Sequence, residues 1–228
     1  TAPPTAGLLS GPQDICVAGT TSLTSTVSGG TWSSSAVSVA TINATSGIAT
    51  GIAPGIATMT YTVAGTGGCA NATTTRIVTV TASPSAGTLS GTQAICVSSS
   101  VLFNSTSPGG SWTSSNSLIA TIDATTGSVS GIAPGTATMT YTVTGTGGCS
   151  NATATRDVTI TTLPNAGILS GDQSICANAT STFISTGASD QGVWSSSNTS
   201  VASIDATTGV ITPASAGIAT MTYTVAGT

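Results

Sequence analysis

The sequence predicts an all-β protein, a series of antiparallel sandwiches arranged as a rod. Three observations carry that prediction. First, apolar and hydroxyl side chains alternate strictly, as in Ala57, Met59, Tyr61 and Val63 set against Thr58, Thr60 and Thr62. Alternation with a period of two buries one face of a strand and leaves the other in water. Second, the pattern returns after 80 residues: Ile15-Cys16 recurs as Ile95-Cys96, and Gly67-Gly68-Cys69 recurs as Gly147-Gly148-Cys149. Third, clusters of Gly, Pro, Asn and Ser separate short apolar runs, and no 3.6-residue period or capped helix interrupts them.

Residues 1–80 and 81–160 are identical at about 50 of 80 positions. A third copy follows with a two-residue insertion between Gly187 and Gly192, which brings Trp194 into line with Trp112. A period of 80 exceeds the ~20–50 residues of a solenoid repeat and suits a small domain with its own core. The expected units are therefore 1–80, 81–160 and 161–228, the last without a closing strand or second cysteine. Either the chain is a window on a longer array, or a neighbouring molecule donates the strand.

Within each unit the main strand is 57–63, 137–143 or 219–225, with β-branched Thr suited to the outer face. Val78 and Val80 continue the alternation in a closing strand. Ala53-Pro54-Gly55 and Ala44-Thr45-Ser46-Gly47 read as turns. In the third copy, Thr212-Pro213-Ala214-Ser215-Ala216-Gly217 loses the Pro-Gly order, so a differently shaped turn is expected there. Trp32, Trp112 and Trp194, with Tyr61, Tyr141 and Tyr223, are the expected core anchors, because aromatic side chains bury the most area. Each linker, 82–85 and 162–165, carries a proline that stiffens it, which favours end-to-end stacking.

Composition excludes several functions. Ser and Thr supply 83 of the 228 residues, against two Arg, six Asp and no Lys, Glu or His. Two Arg cannot neutralise a phosphate backbone, which argues against nucleic-acid binding. Without His or Glu, acid–base catalysis and zinc ligation lack their usual residues. An enzyme is therefore not expected, and neither is a cofactor. Disorder is disfavoured by a 39% hydrophobic content and a net charge of only −4. No apolar run approaches the ~20 residues of a membrane-spanning helix.

Three stretches of the second repeat resemble a known family: Trp112 to Asn116, Ile119 to Gly127, and Gly131 to Thr138. Their order of tryptophan, serine-rich turn, alternating strand, Asp-Ala-Thr-Thr-Gly turn and Pro-Gly turn is similar to the bacterial immunoglobulin-like domain, group 2. The match recurs from Trp32 to Thr58 and from Trp194 to Thr220. The resemblance implies an immunoglobulin-like sandwich and an extracellular place on a bacterial cell surface. The tandem, cysteine-bearing form resembles very large surface-displayed repeat proteins.

Two cysteines per repeat, 53 residues apart, fit disulfides within each unit, Cys16–Cys69 and Cys96–Cys149, and leave Cys176 unpaired in this segment. Pairing across units, for example Cys69 with Cys96, is the alternative. Either arrangement implies an oxidising compartment. Asn43, Asp123 and Asp205 read as turn formers rather than calcium ligands, because calcium wants six to eight oxygens. Arg76 and Arg156 read as solvated or locally paired. The functional expectation is a stalk or fibre whose partners are neighbouring copies or repeats. The alternatives are a self-assembling filament, completed by strand donation or lateral packing, and a module that binds surface glycans.

Overall fold

The alternating segments form strands in the computed structural model, which describes residues 2–226. The first unit contains β1 (Leu9–Ser10), β2 (Asp14–Cys16), β3 (Thr20–Ser22), β4 (Thr24–Ser25), β5 (Thr31–Ser34), β6 (Ala40–Ile42), β7 (Ile48–Gly51), β8 (Gly55–Val63) and β9 (Ala72–Thr81). The second repeats it as β10 (Leu89–Ser90), β11 (Ala94–Cys96), β12 (Ser100–Leu102), β13 (Asn104–Ser105), β14 (Ser111–Ser114), β15 (Ala120–Ile122), β16 (Ser128–Gly131), β17 (Gly135–Val143) and β18 (Ala152–Thr161). The third has β19 (Ile168–Ser170), β20 (Ser181–Thr182), β21 (Ile184–Thr186), β22 (Val193–Ser196), β23 (Ala202–Ile204), β24 (Val210–Pro213) and β25 (Met221–Thr224). No helix interrupts these strands among the described residues. The protein is an all-β sandwich fold.

One sheet of the first unit has the order β2-β9-β8-β5 and the other β3-β7-β6, with a small β1-β4 pair beside them. The second unit repeats this as β11-β18-β17-β14, β12-β16-β15 and β10-β13. Each of the two units departs from purely antiparallel pairing at one place. β2 runs parallel to β9 and β11 parallel to β18. Such a pair cannot be joined by a tight hairpin and needs a long connection. Almost the whole unit lies between β2 and β9, so that connection exists.

Two cores result. The first packs Leu23, Trp32, Met59, Tyr61, Val78 and Val80 between the sheets, and the second packs Phe103, Trp112, Met139, Tyr141, Val158 and Ile160. Trp32, Trp112 and Trp194 are all buried, and each packs against Tyr61, Tyr141 or Tyr223 with ring centroids 4.8 Å apart and planes tilted by 49°, 47° and 45°. The tyrosine hydroxyls close a connection. Tyr141 donates to the Ser107 carbonyl at 2.8 Å and accepts from the Gly110 N–H at 2.7 Å. Tyr61 bridges Val27 and Gly30 in the same way.

The third unit is thinner. Its β22 pairs with β25 alone, and residues 173–178, around Ile175 and Cys176, form no strand. Tyr223 is only half-buried, and Ile168 and Ile218 are 78% and 92% exposed. The expected strand over 219–225 shortens to Met221–Thr224. Just before it, the Thr220 carbonyl still accepts from the Ser197 N–H at 2.9 Å, and the Thr220 N–H donates to the Ser197 hydroxyl at 2.9 Å. At 212–217, β24 keeps the four-residue span of β7 and β16, with Pro213 in the place of Gly51 and Gly131, and Ala216-Gly217 stands where the other units have Pro-Gly. The expected end of this unit at Thr228 lies outside the described residues.

The tyrosine bridge gives a test by urea denaturation. Tyr141→Phe leaves the Gly110 N–H and the Ser107 carbonyl without their partner and should cost about 1–3 kcal/mol. Trp112→Ala opens the core and should cost more, about 3–5 kcal/mol.

Candidate functional site at the repeat junction

The cysteines meet at the end of the first unit. β2 runs beside β9, with Cys16 in register with Thr81. The chain then turns sharply. The Val17 N–H donates to the Thr81 carbonyl at 3.0 Å, and the Ala18 N–H donates to the Gly51 carbonyl at 2.9 Å. Ala18 has φ +63°, a conformation that non-glycine residues seldom adopt. The matching Ser98 and Asn178 have φ +66° and +70°, so the same turn shape follows every Ile-Cys pair.

Onto this end sits a loop of the second unit. The Thr146-Gly147-Gly148-Cys149 segment joins β17 to β18, and the Asn151 side chain closes it by accepting from the Gly145 N–H at 3.0 Å. Cys149 is bonded to Cys16, with their Cα atoms 4.8 Å apart at a sequence separation of 133. The sulfur of Cys149 lies 3.5 Å from the Ala82 carbonyl oxygen, and that of Cys16 lies 3.2 Å from the Ser83 hydroxyl. The glycines permit the approach. A Cβ on Gly148 would come within 3.0 Å of the Asp14 carbonyl oxygen, and one on Gly147 would run into Thr81.

This bond corrects the pairing expected from the sequence. Cys16 is not joined to Cys69, nor Cys96 to Cys149. The physical reason is where β8–β9 and β17–β18 place their connecting loops. Each loop lies beyond the end of its sheet, and Cys149 meets the Cys16 end of the preceding unit. Cys69 occupies the equivalent loop of the first unit and is half-buried, Cys96 is a half-buried thiol on β11, and Cys176 is an exposed one.

The charged residues serve the fold locally. Arg76 on β9 donates from Nε to the Gly11 carbonyl at 3.0 Å and from Nη1 to the Leu9 carbonyl at 3.3 Å. Arg156 repeats this with Gly91 and Leu89, and its guanidinium lies 5.6 Å from the centre of the Phe103 ring. Asp123 accepts from the N–H groups of Thr125 and Thr126 at 3.1 and 2.7 Å, and from the Thr126 hydroxyl at 2.8 Å. Asp205 does the same with Thr207 and Thr208, and Asn43 accepts from the N–H groups of Thr45 and Ser46. These side chains close their own turns. Among the described residues, no three His, Cys, Asp or Glu gather as metal ligands.

The third unit carries a groove on one side. Ile175, Phe183, Ile211, Ile218 and Met221 line a shallow groove. In the complete units, β9 and β18 cover the corresponding strands with Val78 and Val80 or with Val158 and Ile160. No helix of the described residues is long and apolar enough to cross a membrane.

Residues 76–155 match the family described as bacterial Ig-like domain (group 2). Among solved structures, the chain is similar to the C-terminal 282-residue fragment of intimin, solved with the intimin-binding domain of the translocated intimin receptor. Identity there is 17% over 71% of this chain and 67% of that one, with a TM-score of 0.44. Domains 1–6 of the surface layer protein SbsC are also similar, at 17% identity over 97% of this chain and 37% of that one, with a TM-score of 0.32. A SusE-like surface-located polysaccharide binding protein from Bacteroides thetaiotaomicron gives 13% identity over 69% and 35%, with a TM-score of 0.28. The chain spans about two thirds of the intimin fragment and about a third of the other two. No curated protein matches it.

The turn carboxylates make a pH prediction. Hydrogen bonds from the Thr126 N–H, the Thr126 hydroxyl and the Thr125 N–H hold Asp123 below its ordinary value of 3.8. The Thr208 N–H and hydroxyl and the Thr207 N–H do the same for Asp205. A lowered folded pKa means that the stabilisation is complete above the unfolded value, about 4, and is lost as pH falls through the folded value. Urea midpoints should therefore drop below pH ~4 in the wild type. The drop should be shallower in an Asp123→Asn, Asp205→Asn double variant, where Asn can fill the role that Asn43 has in the first unit.

Proposed function

We propose that the chain, with residues 76–155 as a bacterial Ig-like domain of group 2, is a structural segment of a secreted bacterial cell-surface protein. It acts as a stalk or fibre rather than as an enzyme, and its mechanism is geometric. Sandwiches are clamped to their neighbours so that something is held away from the cell. The observation that carries this reading is the disulfide between Cys16 of one unit and Cys149 of the next. A bond within a unit would reinforce that unit alone, whereas a bond between units fixes how they are joined. A disulfide also points to an oxidising location, as at a cell surface.

The clamp has a mechanical consequence. Tension applied to the two ends of the chain passes through the bond from Cys16 to Cys149. The intervening residues, which include strands β3 to β17, carry none of it. This suits a stalk under load. A weakly charged surface rich in Ser and Thr, with only two Arg for trypsin-like proteases, suits an exposed and durable part.

A glycan-binding module has less support. All three tryptophans are buried, and no aromatic ring stands among the exposed large hydrophobic side chains of the described residues.

Single-molecule pulling from the chain ends tests the stalk. Reducing the bond should add about 440 Å of contour length on full extension, at ~3.3 Å for each of the 133 residues it closes off. Equal extension of oxidised and reduced chains would sink the load-bearing reading.

A further inference from the structure

We propose that the Cys96 end of the second unit is a docking site for a Gly-Gly-Cys loop carried by another Ig-like unit, closed by a disulfide to Cys96. The inference rests on reading the Cys16–Cys149 clamp as the joint between units. Its warrant is that one copy of the site is occupied in the structure and a second copy has the same platform.

The two ends agree bond by bond. Cys16 is in register with Thr81 across a parallel strand pair, and Cys96 is in register with Thr161 across the equivalent pair. The Val17 N–H donates to the Thr81 carbonyl at 3.0 Å, and the Val97 N–H to the Thr161 carbonyl at 2.9 Å. The N–H groups of Ala18 and Ser98 donate to the Gly51 and Gly131 carbonyls, both at 2.9 Å. The two turn residues differ by only three degrees in φ, at +63° and +66°. The sulfur of Cys96 is half-buried and takes a weak bond from the Thr161 hydroxyl at 3.7 Å.

The seated loop touches features that recur at the second end. Gly148 lies against the Asp14 carbonyl and the Ile15 Cα, and Gly147 against the Thr81 side chain. The matching positions are Ala94, Ile95 and Thr161, which offer the same backbone and the same threonine. The surrounding side chains differ at five positions, where Asp14, Ala18, Gly19, Ala82 and Ser83 become Ala94, Ser98, Ser99, Thr162 and Leu163, while the backbone bonds that shape the platform stay the same. Leu163 is 59% exposed, so the second end adds apolar surface beside the linker for an incoming loop to cover.

Cys176 is the internal control. It follows the same Ile and precedes a turn with the same positive φ, at Asn178. It has no strand equivalent to β9 or β18 beside it among the described residues, and it is exposed. Accessibility alone would make Cys176 the more reactive thiol. The platform predicts the opposite order for a Gly-Gly-Cys partner.

The bond forms by thiol–disulfide exchange with a small disulfide such as oxidised glutathione. The thiolate of Cys96 attacks glutathione disulfide and releases one glutathione thiolate. The partner cysteine thiolate then attacks the Cys96 sulfur of the mixed disulfide and releases the second. The two cysteines are oxidised by two electrons in total, and one glutathione disulfide is reduced to two glutathione molecules.

The test uses the full chain and a synthetic peptide with the sequence of residues 144–152, incubated in a glutathione redox buffer and read by non-reducing peptide mapping. Peptide attachment at Cys96 should exceed attachment at Cys176 by about tenfold. Replacing the two probe glycines that correspond to Gly147 and Gly148 by alanine should abolish the preference. Equal or greater attachment at Cys176, or an alanine probe that attaches as well, would overturn the docking site. The digest of untreated protein reports separately on the joint. If Cys16–Cys149 is found and Cys96 shows no preference, only the docking site fails; if Cys16–Cys149 is missing, the joint and the docking site both fail.

Discussion

The ladder between the nine-residue strand and its ten-residue neighbour holds each complete unit together. β8 and β9 pair over nine successive residues, from Gly55 with Val80 to Val63 with Ala72, and β17 and β18 do the same. The ladder brings Ala57, Met59 and Tyr61 on one strand to the same core as Val78 and Val80 on the other. It also supplies the edge on which β2 settles and the Arg that holds β1. In the third unit β22 and β25 still pair, and the Trp194 ring still lies 4.8 Å from that of Tyr223. That unit keeps both a β20-β24-β23 and a β22-β25 sheet, although residues 173–178 form no strand and Ile175, Ile211 and Met221 line a groove.

Strand ladders and turns satisfy most of the polar backbone, and among side chains the hydroxyls do most of the rest. The Ser25 hydroxyl donates to the Ala6 carbonyl at 2.7 Å and the Ser105 hydroxyl to the Ala86 carbonyl at 2.6 Å, tying each entering linker to its unit. Ser34 and Ser114 donate to Ala40 and Ala120 across a turn. The two Arg are spent on carbonyl oxygens rather than on carboxylates. Exposed ion pairs contribute little to stability, so their scarcity costs little. A polar group left buried without a partner costs more, and no buried side-chain polar atom among the described residues is without one. The composition is therefore compatible with a well-ordered fold, although it removes most of the residues that catalysis would need.

Much of the fold was legible because alternation reports burial directly. Met59, Met139, Val78 and Val158 fall on the buried face that their spacing predicts. The turns at Asn43, Asp123 and Asp205 were legible for a similar reason, since an Asx side chain that bonds nearby N–H groups needs no distant partner. The parallel pairing of β2 was not legible. Three residues, Asp14 to Cys16, are too few to show direction, and direction depends on where the chain enters the unit. The lack of a strand around Ile175 was not legible either, because Ile175-Cys176 repeats the Ile-Cys pair that forms β2 and β11 in the other units.

Cysteine pairing was hidden by the repeat itself. Cys69 and Cys149 are one period of 80 apart, so a spacing of 53 within a unit and one of 133 across two units draw on the same two classes of position. Sequence periodicity specifies which classes meet but leaves the number of whole repeats between them open. Chain entropy decides weakly between the two. Lengthening the closed loop from 53 to 133 residues changes the closure term by only about 0.8 kcal/mol. The choice therefore falls to geometry, to a loop that lies beyond the end of its own sheet and against the preceding unit. The main consequence is geometric as well. Each complete unit already folds around its own core, so a bond between them acts mostly on their mutual freedom. The same thiol chemistry that would strengthen a single domain, when shifted by one repeat, ties two repeats to each other instead.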